Sequence, residues 1–224
     1  MEVTVWRLKT FASCYLLGGR DGFVLVDTGP AMSLERLLRG LKQAGCGRED
    51  LRLVVITHSD VDHIGNCAFL QESFHAQIGM HELEKQAAET GDMRWSRKES
   101  PDQVPWLFKA LRPFGSLLGK PRTVTPDVLL EDDQRLDEYG VEATVLHLPG
   151  HTKGSIAVLT DDGDLCCGDL FWNTRRPRLH PFLNDLPAAR ASVERLRSMS
   201  ITTVHPSHGR SFPASLLAKE FPGV

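Results

Sequence analysis

The sequence predicts an α+β fold built from two strand-and-helix halves, and three observations carry that expectation. The run Val54-Val55-Ile56-Thr57 is short, continuous and β-branched, the pattern of a buried strand. Ser33 to Ala44 and Leu186 to Met199 place their leucines, valine and methionine on one helical face, with charges between. Strand patterns resume at Val128, beyond a charged and proline-bearing interruption, so the elements recur as a second series.

Taken in order, Val3 to Leu8 and Ala12 to Leu17 alternate as two strands of a meander. Gly18-Gly19-Arg20-Asp21-Gly22 supplies the turn into a third strand, Phe23 to Val26, which ends at Asp27-Thr28-Gly29-Pro30. The helix from Ser33 is closed by Gly45 and Gly47, and the buried strand that starts near Leu51 follows. A short helix over Cys67 to Glu72, a strand over Ala76 to Gly79 and a polar helix from Glu82 to about Ala88 complete the first half.

Residues 90–126 interrupt the pattern as an insertion or lid inside a single domain spanning 1–224. They combine charge and proline with Trp95, Trp106, Phe108 and Phe114, too aromatic for a disordered stretch and too broken for a core element. The second half is expected to start at Val128. Strands are expected over Val141 to Leu148, Ile156 to Leu159, Leu165 to Cys167 and Ile201 to Val204, with the Leu186 helix before the last. A loop bearing Phe171, Trp172, Arg175, Arg176, Arg178 and His180 joins the third of these strands to that helix.

Composition narrows the function. A net charge of −3 over 224 residues leaves no basic footprint, so nucleic acid is not an expected partner. The acidic, strand-like start is unlike a signal peptide, and no apolar run is long enough for a bilayer. A cytoplasmic protein acting on a small molecule, without a membrane partner, is the expectation. The five cysteines, Cys14, Cys46, Cys67, Cys166 and Cys167, are odd in number and lie in apolar segments, which fits reduced core thiols.

The chemistry concentrates where the Val54 strand ends, in His58, Asp60, Asp62 and His63. Residues two apart in extended chain share a face, so His58 and Asp60 can reach one cation while Asp62 and His63, adjacent across a turn, reach a second. Imidazole with carboxylate suits zinc, manganese or iron. Three later strand ends each deliver one residue of the same type: His151 after Pro149-Gly150, Asp169 after Gly168, and His208 before Gly209. Asp27 becomes a partner for a metal-binding histidine if its strand lies beside the Val54 strand.

In this order His58, Asp60, Asp62, His63, His151, Asp169 and His208 resemble the ligand series of the metallo-β-lactamase-like hydrolase superfamily. The likeness runs from Val26 to Ser207 and includes its Gly-His-Thr, Gly-Asp and His-Gly segments. It implies a four-layer αββα sandwich with two pseudo-equivalent halves and a site at one edge between two sheets. It also implies that His58, Asp60 and His151 hold one metal, that Asp62, His63 and His208 hold another, and that Asp169 bridges them. His205, three residues before His208, lacks the matching glycine and is assigned to support or to nothing.

Asp60 departs from the family, where histidine is commoner. The ligands then carry three negative charges, one more than with histidine, which would leave a bound water less acidified and favour manganese or iron beside zinc. The cofactor expected is two divalent ions, zinc first. The resemblance implies an enzyme that uses a metal-bound hydroxide to cleave an ester, thioester, lactone or phosphoester, with Asp62 orienting the water or taking its proton. Arg175, Arg176 and Trp172 are the candidate substrate contacts. The branches with an added helical domain, an added nuclease domain or a secretion signal are expected not to apply. The alternative is an iron-dependent oxidoreductase at the same ligands, a persulfide oxygenase or the partner of a flavoprotein.

Overall fold

The computed structural model describes residues 2–103 and 122–220. Two main sheets face one another. The first has six strands in the order β1 (Thr4–Leu8), β2 (Cys14–Gly18), β3 (Phe23–Val26), β4 (Leu51–Ile56), β5 (Gln77–Met80) and β6 (Val128–Leu129). Its first three strands are the antiparallel meander, while β3 to β6 run parallel. The second sheet is ordered β14 (Phe212–Pro213), β12 (Thr203–His205), β9 (Asp164–Cys166), β8 (Ile156–Thr160) and β7 (Ala143–His147).

Helices α1 (Leu34–Gln43), α2 (Val61–Ile64), α3 (Cys67–Phe74) and α4 (Glu82–Thr90) belong to the first half. Helices α5 (Leu186–Arg197) and α6 (Ser215–Glu220) belong to the second. No helix of the described residues is long and apolar enough to cross a membrane.

Strand alternation builds the layers. Along β4, Val54 and Ile56 join a core with Leu37 and Leu41 of α1 and Leu70 of α3, whereas Leu53 and Val55 face the other way. Those two meet Val145, Ile156 and Val158 of the second sheet in a middle core. Ala157 and Leu165 turn to the far side, where Ala189, Val193 and Leu196 of α5 cover them. Three apolar interfaces between four layers are the αββα sandwich, because successive side chains of a strand must leave on opposite faces.

Several expectations are corrected. Val128 does not open the second half: Val128–Leu129 is an edge strand of the first sheet, parallel to β5, so the crossover to the second sheet comes after it. The expected strand from Val141 is regular only over Ala143–His147, and the Ile201 strand shifts to Thr203–His205. The arginine-bearing loop is a hairpin, with β10 (Phe171–Asn173) antiparallel to β11 (Arg178–Leu179). β10 also pairs in parallel with β13 (His208–Gly209), forming a third, three-stranded sheet that two- and three-residue strands cannot announce by periodicity.

Of the insertion, residues 90–103 and 122–126 are described; Trp106, Phe108 and Phe114 lie outside the described residues. The described part is fastened to the body. The Ser96 carbonyl accepts from the Lys153 amide at 2.9 Å, and the Lys98 amide donates to Asn184 Oδ1 at 2.7 Å. Gln103 bridges Leu183.

Candidate metal centre

The parallel pairing of β3 with β4 puts Val26 beside Val55, so Asp27 and Thr57 emerge together at one sheet edge. Asp27 takes a left-handed backbone conformation with φ 60°, which turns its carboxylate back over β4. There it accepts from the Thr57 amide at 2.8 Å, from the Thr57 hydroxyl and from His63 Nδ1 at 2.8 Å. A carboxylate only accepts, so His63 carries a proton on Nδ1, and Nε2 is the ring nitrogen turned to the cluster.

The same logic fixes two further rings. Thr57 spends its hydroxyl proton on Asp27, so at 2.9 Å it accepts from His58 Nδ1. His151 Nδ1 donates to the Phe182 carbonyl at 2.7 Å. All three histidines therefore direct Nε2 inward, toward Asp169.

The free atoms meet around that residue. Asp169 Oδ1 is 3.6 Å from His63 Nε2, and Asp169 Oδ2 is 3.5 Å from His208 Nε2, 3.8 Å from His151 Nε2 and 4.0 Å from His58 Nε2. Asp62 Oδ2 lies 3.3 Å from His208 Nε2 and 3.9 Å from His63 Nε2. Asp60 Oδ2 lies 3.2 Å from His151 Nε2 and 3.6 Å from His58 Nε2. Two donors each ~2.1 Å from one tetrahedral cation stand ~3.4 Å apart, so these spacings suit shared cations.

The strongest indication is what the donors lack. His58 Nε2, His63 Nε2, His180 Nε2 and Asp169 Oδ1 are buried without a hydrogen-bond partner. Buried polar atoms are almost always satisfied, and four orphans in one cluster fit a cation. His58, His151 and Asp169 form one group with ligand atoms mutually within 4.8 Å, Asp62, His63 and His208 form another, and Asp169, His180 and His208 form a third.

Electrostatics follow the geometry. Burial would lower the His208 pKa, but the Asp169 and Asp62 carboxylates override it and raise it to about 9. His63 is likewise held well above the usual histidine range: burial opposes this, while Asp27, Asp169 and Asp62 prevail. Asp169 stays well below the usual carboxylate range despite its burial, because His180, His208 and His63 surround it.

Sequence reasoning missed four residues here. His180, beside Trp172, places Nε2 3.2 Å from Asp169 Oδ2, and burial pushes its pKa down to about 3. Glu84 of α4, fully buried, accepts from the Ser59 amide at 2.8 Å and the Gly154 amide at 3.2 Å, tying two ligand loops together. Arg97, from the insertion, donates to both oxygens of Asp60 at 2.6 and 2.7 Å. Phe11 stands 63% exposed, its ring in a T-shaped contact with His208. None sits in a motif; each reaches the site across a long sequence separation.

Of the candidate substrate contacts, Trp172 stacks on His208 with ring centroids 4.8 Å apart. Arg175 and Arg176 are exposed in the turn between β10 and β11, and among the described residues neither pairs with the cluster. His205 turns away from the cluster, its Nε2 2.7 Å from Asp164 Oδ1 and its Nδ1 2.8 Å from Ser211 Oγ.

Residues 8–208 match the family model described as the metallo-beta-lactamase superfamily. The chain belongs to that superfamily. This metallo-β-lactamase-fold chain is 30% identical over 191 residues to a probable metallo-hydrolase of Mycobacterium bovis, covering 68% of itself and 54% of that relative. It thus spans about half the length of that curated relative. It is 28% identical over 174 residues to the human acyl-coenzyme A thioesterase MBLAC2, covering 72% of itself and 59% of the other. Among solved structures it is similar to TTHA1623 in a di-iron-bound form, with 28% identity, a TM-score of 0.72, and 99% and 100% of the two chains covered.

Proposed function

We propose that this chain is a binuclear metal-dependent hydrolase whose substrate is a small molecule, with a thioester as the first bond to test and esters, lactones and phosphoesters after it. The observation that carries the reading is the convergence of unpartnered His58 Nε2, His63 Nε2 and Asp169 Oδ1 in one buried cluster. In this reading His58, Asp60 and His151 hold one divalent ion, Asp62, His63 and His208 hold the other, and Asp169 lies between. Bound cations supply Lewis acidity toward a carbonyl or phosphoryl oxygen and a hydroxide near neutral pH.

The chain's own groups do the rest. Asp62, with a side chain 15% exposed, can orient the attacking water and take its proton on a carboxylate oxygen. Trp172 and Phe11 flank His208 and offer apolar surface to an acyl group. Arg175 and Arg176 stand ready for an anionic tail on the same substrate, as a coenzyme A thioester has. The thioester priority is supported by the likeness to MBLAC2, named an acyl-coenzyme A thioesterase. A net charge of −3 supports a small-molecule substrate over nucleic acid, and a cytoplasmic setting is part of the same reading.

The test loads the protein with zinc, manganese or iron and assays acyl-coenzyme A thioesters, lactones and phosphodiesters. Turnover abolished by chelator and by Asp62→Ala is expected. Failure to bind divalent ions, or undiminished turnover by Asp62→Ala, overturns the reading. A second reading, an iron-dependent oxidoreductase, is favoured by the di-iron form of TTHA1623 and by the oxygen-rich donor set. Anomalous scattering across the zinc, iron and manganese edges separates the two, together with oxygen uptake: iron with oxygen consumption and no hydrolysis selects the second.

A further inference from the structure

Asp60 does not face the centre alone. Arg97 donates one Nη2 to both of its oxygens, and the two side chains are only 22% and 19% exposed. The guanidinium's position is built into the fold. Arg97 closes the 3-10 turn Met93–Ser96, whose Ser96 carbonyl is bonded to the Lys153 amide beside the His151 loop. The next residue, Lys98, is bonded through its amide to Asn184, just beyond the Phe182 carbonyl that orients His151. Arg97 is thus strapped across the two loops that carry and orient His151.

That placement changes the charge of the site. Asp60, Asp62 and Asp169 alone bring three negative charges, but Arg97 returns one positive charge, and the sum falls to minus two. Two carboxylates with a neutral imidazole at position 60 give the same sum. We propose that Arg97 is a positioning and charge-compensating residue, so that the Asp60–Arg97 pair presents the first cation with the net charge of one histidine while touching it through oxygen. Manganese and iron then gain access through the harder donor, without the excess negative charge that would hold back the ionisation of bound water. The inference rests on the metal-dependent reading above and assigns a role to a residue that reading does not use.

The pair is also costly to break from one side, since a partly buried guanidinium without its carboxylate is an uncompensated charge beside a cation. The experiment uses that asymmetry in a double-mutant cycle on the full chain. Affinity and stoichiometry for manganese and zinc are measured by competition with a chromophoric chelator for the native protein, Arg97→Met, Asp60→His and Asp60→His/Arg97→Met.

Asp60→His is expected to lose first-site affinity at least tenfold, because Arg97 is left unpaired, and the double variant is expected to recover it with preference moved from manganese toward zinc. Arg97→Met must therefore improve binding at least ten times more in the Asp60→His background than in the native one. Equal factors in both backgrounds, or a double variant no better than Asp60→His, overturn the proposal. If Asp60→His fails to fold, Asp60→Asn and Asp60→Asn/Arg97→Met, which keep the shape of the side chain, run the same cycle. Two cations bound without coupling sinks only the role of Arg97; no cation bound by the native protein sinks it together with the hydrolase reading.

Discussion

Asp27 Oδ2 lies 2.8 Å from His63 Nδ1, a contact that joins the end of β3 to the short helix after β4. It fixes which nitrogen of His63 is free. Asp27→Asn removes the charge and offers His63 an amide, so the ring loses its orienting acceptor. Groups of this kind are typically worth ~10–100-fold in metal affinity. A chelator competition giving native affinity for Asp27→Asn would show that the contact is only structural.

Metal affinity is expected to rise with pH over the range in which His208 loses its proton. Its folded pKa is raised to about 9 by Asp169 and Asp62 against the opposing effect of burial, so the protonated ring stabilises the metal-free fold below the ordinary histidine pKa. That contribution is lost as pH climbs through about 9. A cation must displace the same proton, as it must at His63, whose pKa is also raised. Binding isotherms from pH 6 to 10 are expected to tighten steadily and level above about 9; a flat profile contradicts the assignment of these rings as ligands.

Glu84 holds two ligand loops through the Ser59 and Gly154 amides while itself fully buried. Glu84→Ala strands both donors, and a buried donor left without its acceptor costs ~1–3 kcal/mol. Urea denaturation of the metal-free protein is expected to lose ~2–4 kcal/mol, and Glu84→Gln to lose less. Equal, near-zero losses for both variants would remove Glu84 from the scaffold of the site.

Gly65 packs where a methyl group has no room. A Cβ there would stand 2.3 Å from the Ala31 amide nitrogen and 2.6 Å from the Pro30 carbonyl carbon. Both neighbours are backbone, so the chain itself must move, and overpacking of this kind costs ~1–3 kcal/mol. Gly65→Ala is expected to lower the melting temperature and weaken metal binding together, since His63 is two residues away. A variant as stable as the native protein would contradict the close approach.

All five cysteines are buried and unpaired, and burial raises the Cys14 and Cys46 thiols to about 12. Thiolate is the reactive form, so the native protein should resist a thiol reagent that titrates all five after unfolding in denaturant. Rapid reaction of any cysteine in the native state would contradict this burial.

The candidate ligands are drawn together by a pattern the sequence displays, because His58, His151 and Asp169 each follow a strand pattern. His58 after the β-branched run, His151 after Pro149-Gly150 and Asp169 after Gly168 stand just beyond the ends of β4, β7 and β9. Alternation along β4 and β8 likewise encoded the layers, since period two is a local property of the chain. The three-stranded sheet was not legible, because strands of two or three residues are too short to show a period.

The sequence by itself determined the residue types of the centre, their order along the chain and the buried faces that bring two sheets together. Only the tertiary structure decided which groups hold those residues in place. Glu84, Arg97 and His180 act across gaps of 25, 37 and 11 residues, on Ser59, Asp60 and Asp169 respectively. Their partners are chosen by the packing of loops and not by spacing along the chain, so no local pattern could name them. The charge at Asp60 is the sharpest case: read along the chain it is an excess, and in the folded molecule a guanidinium from the insertion cancels it.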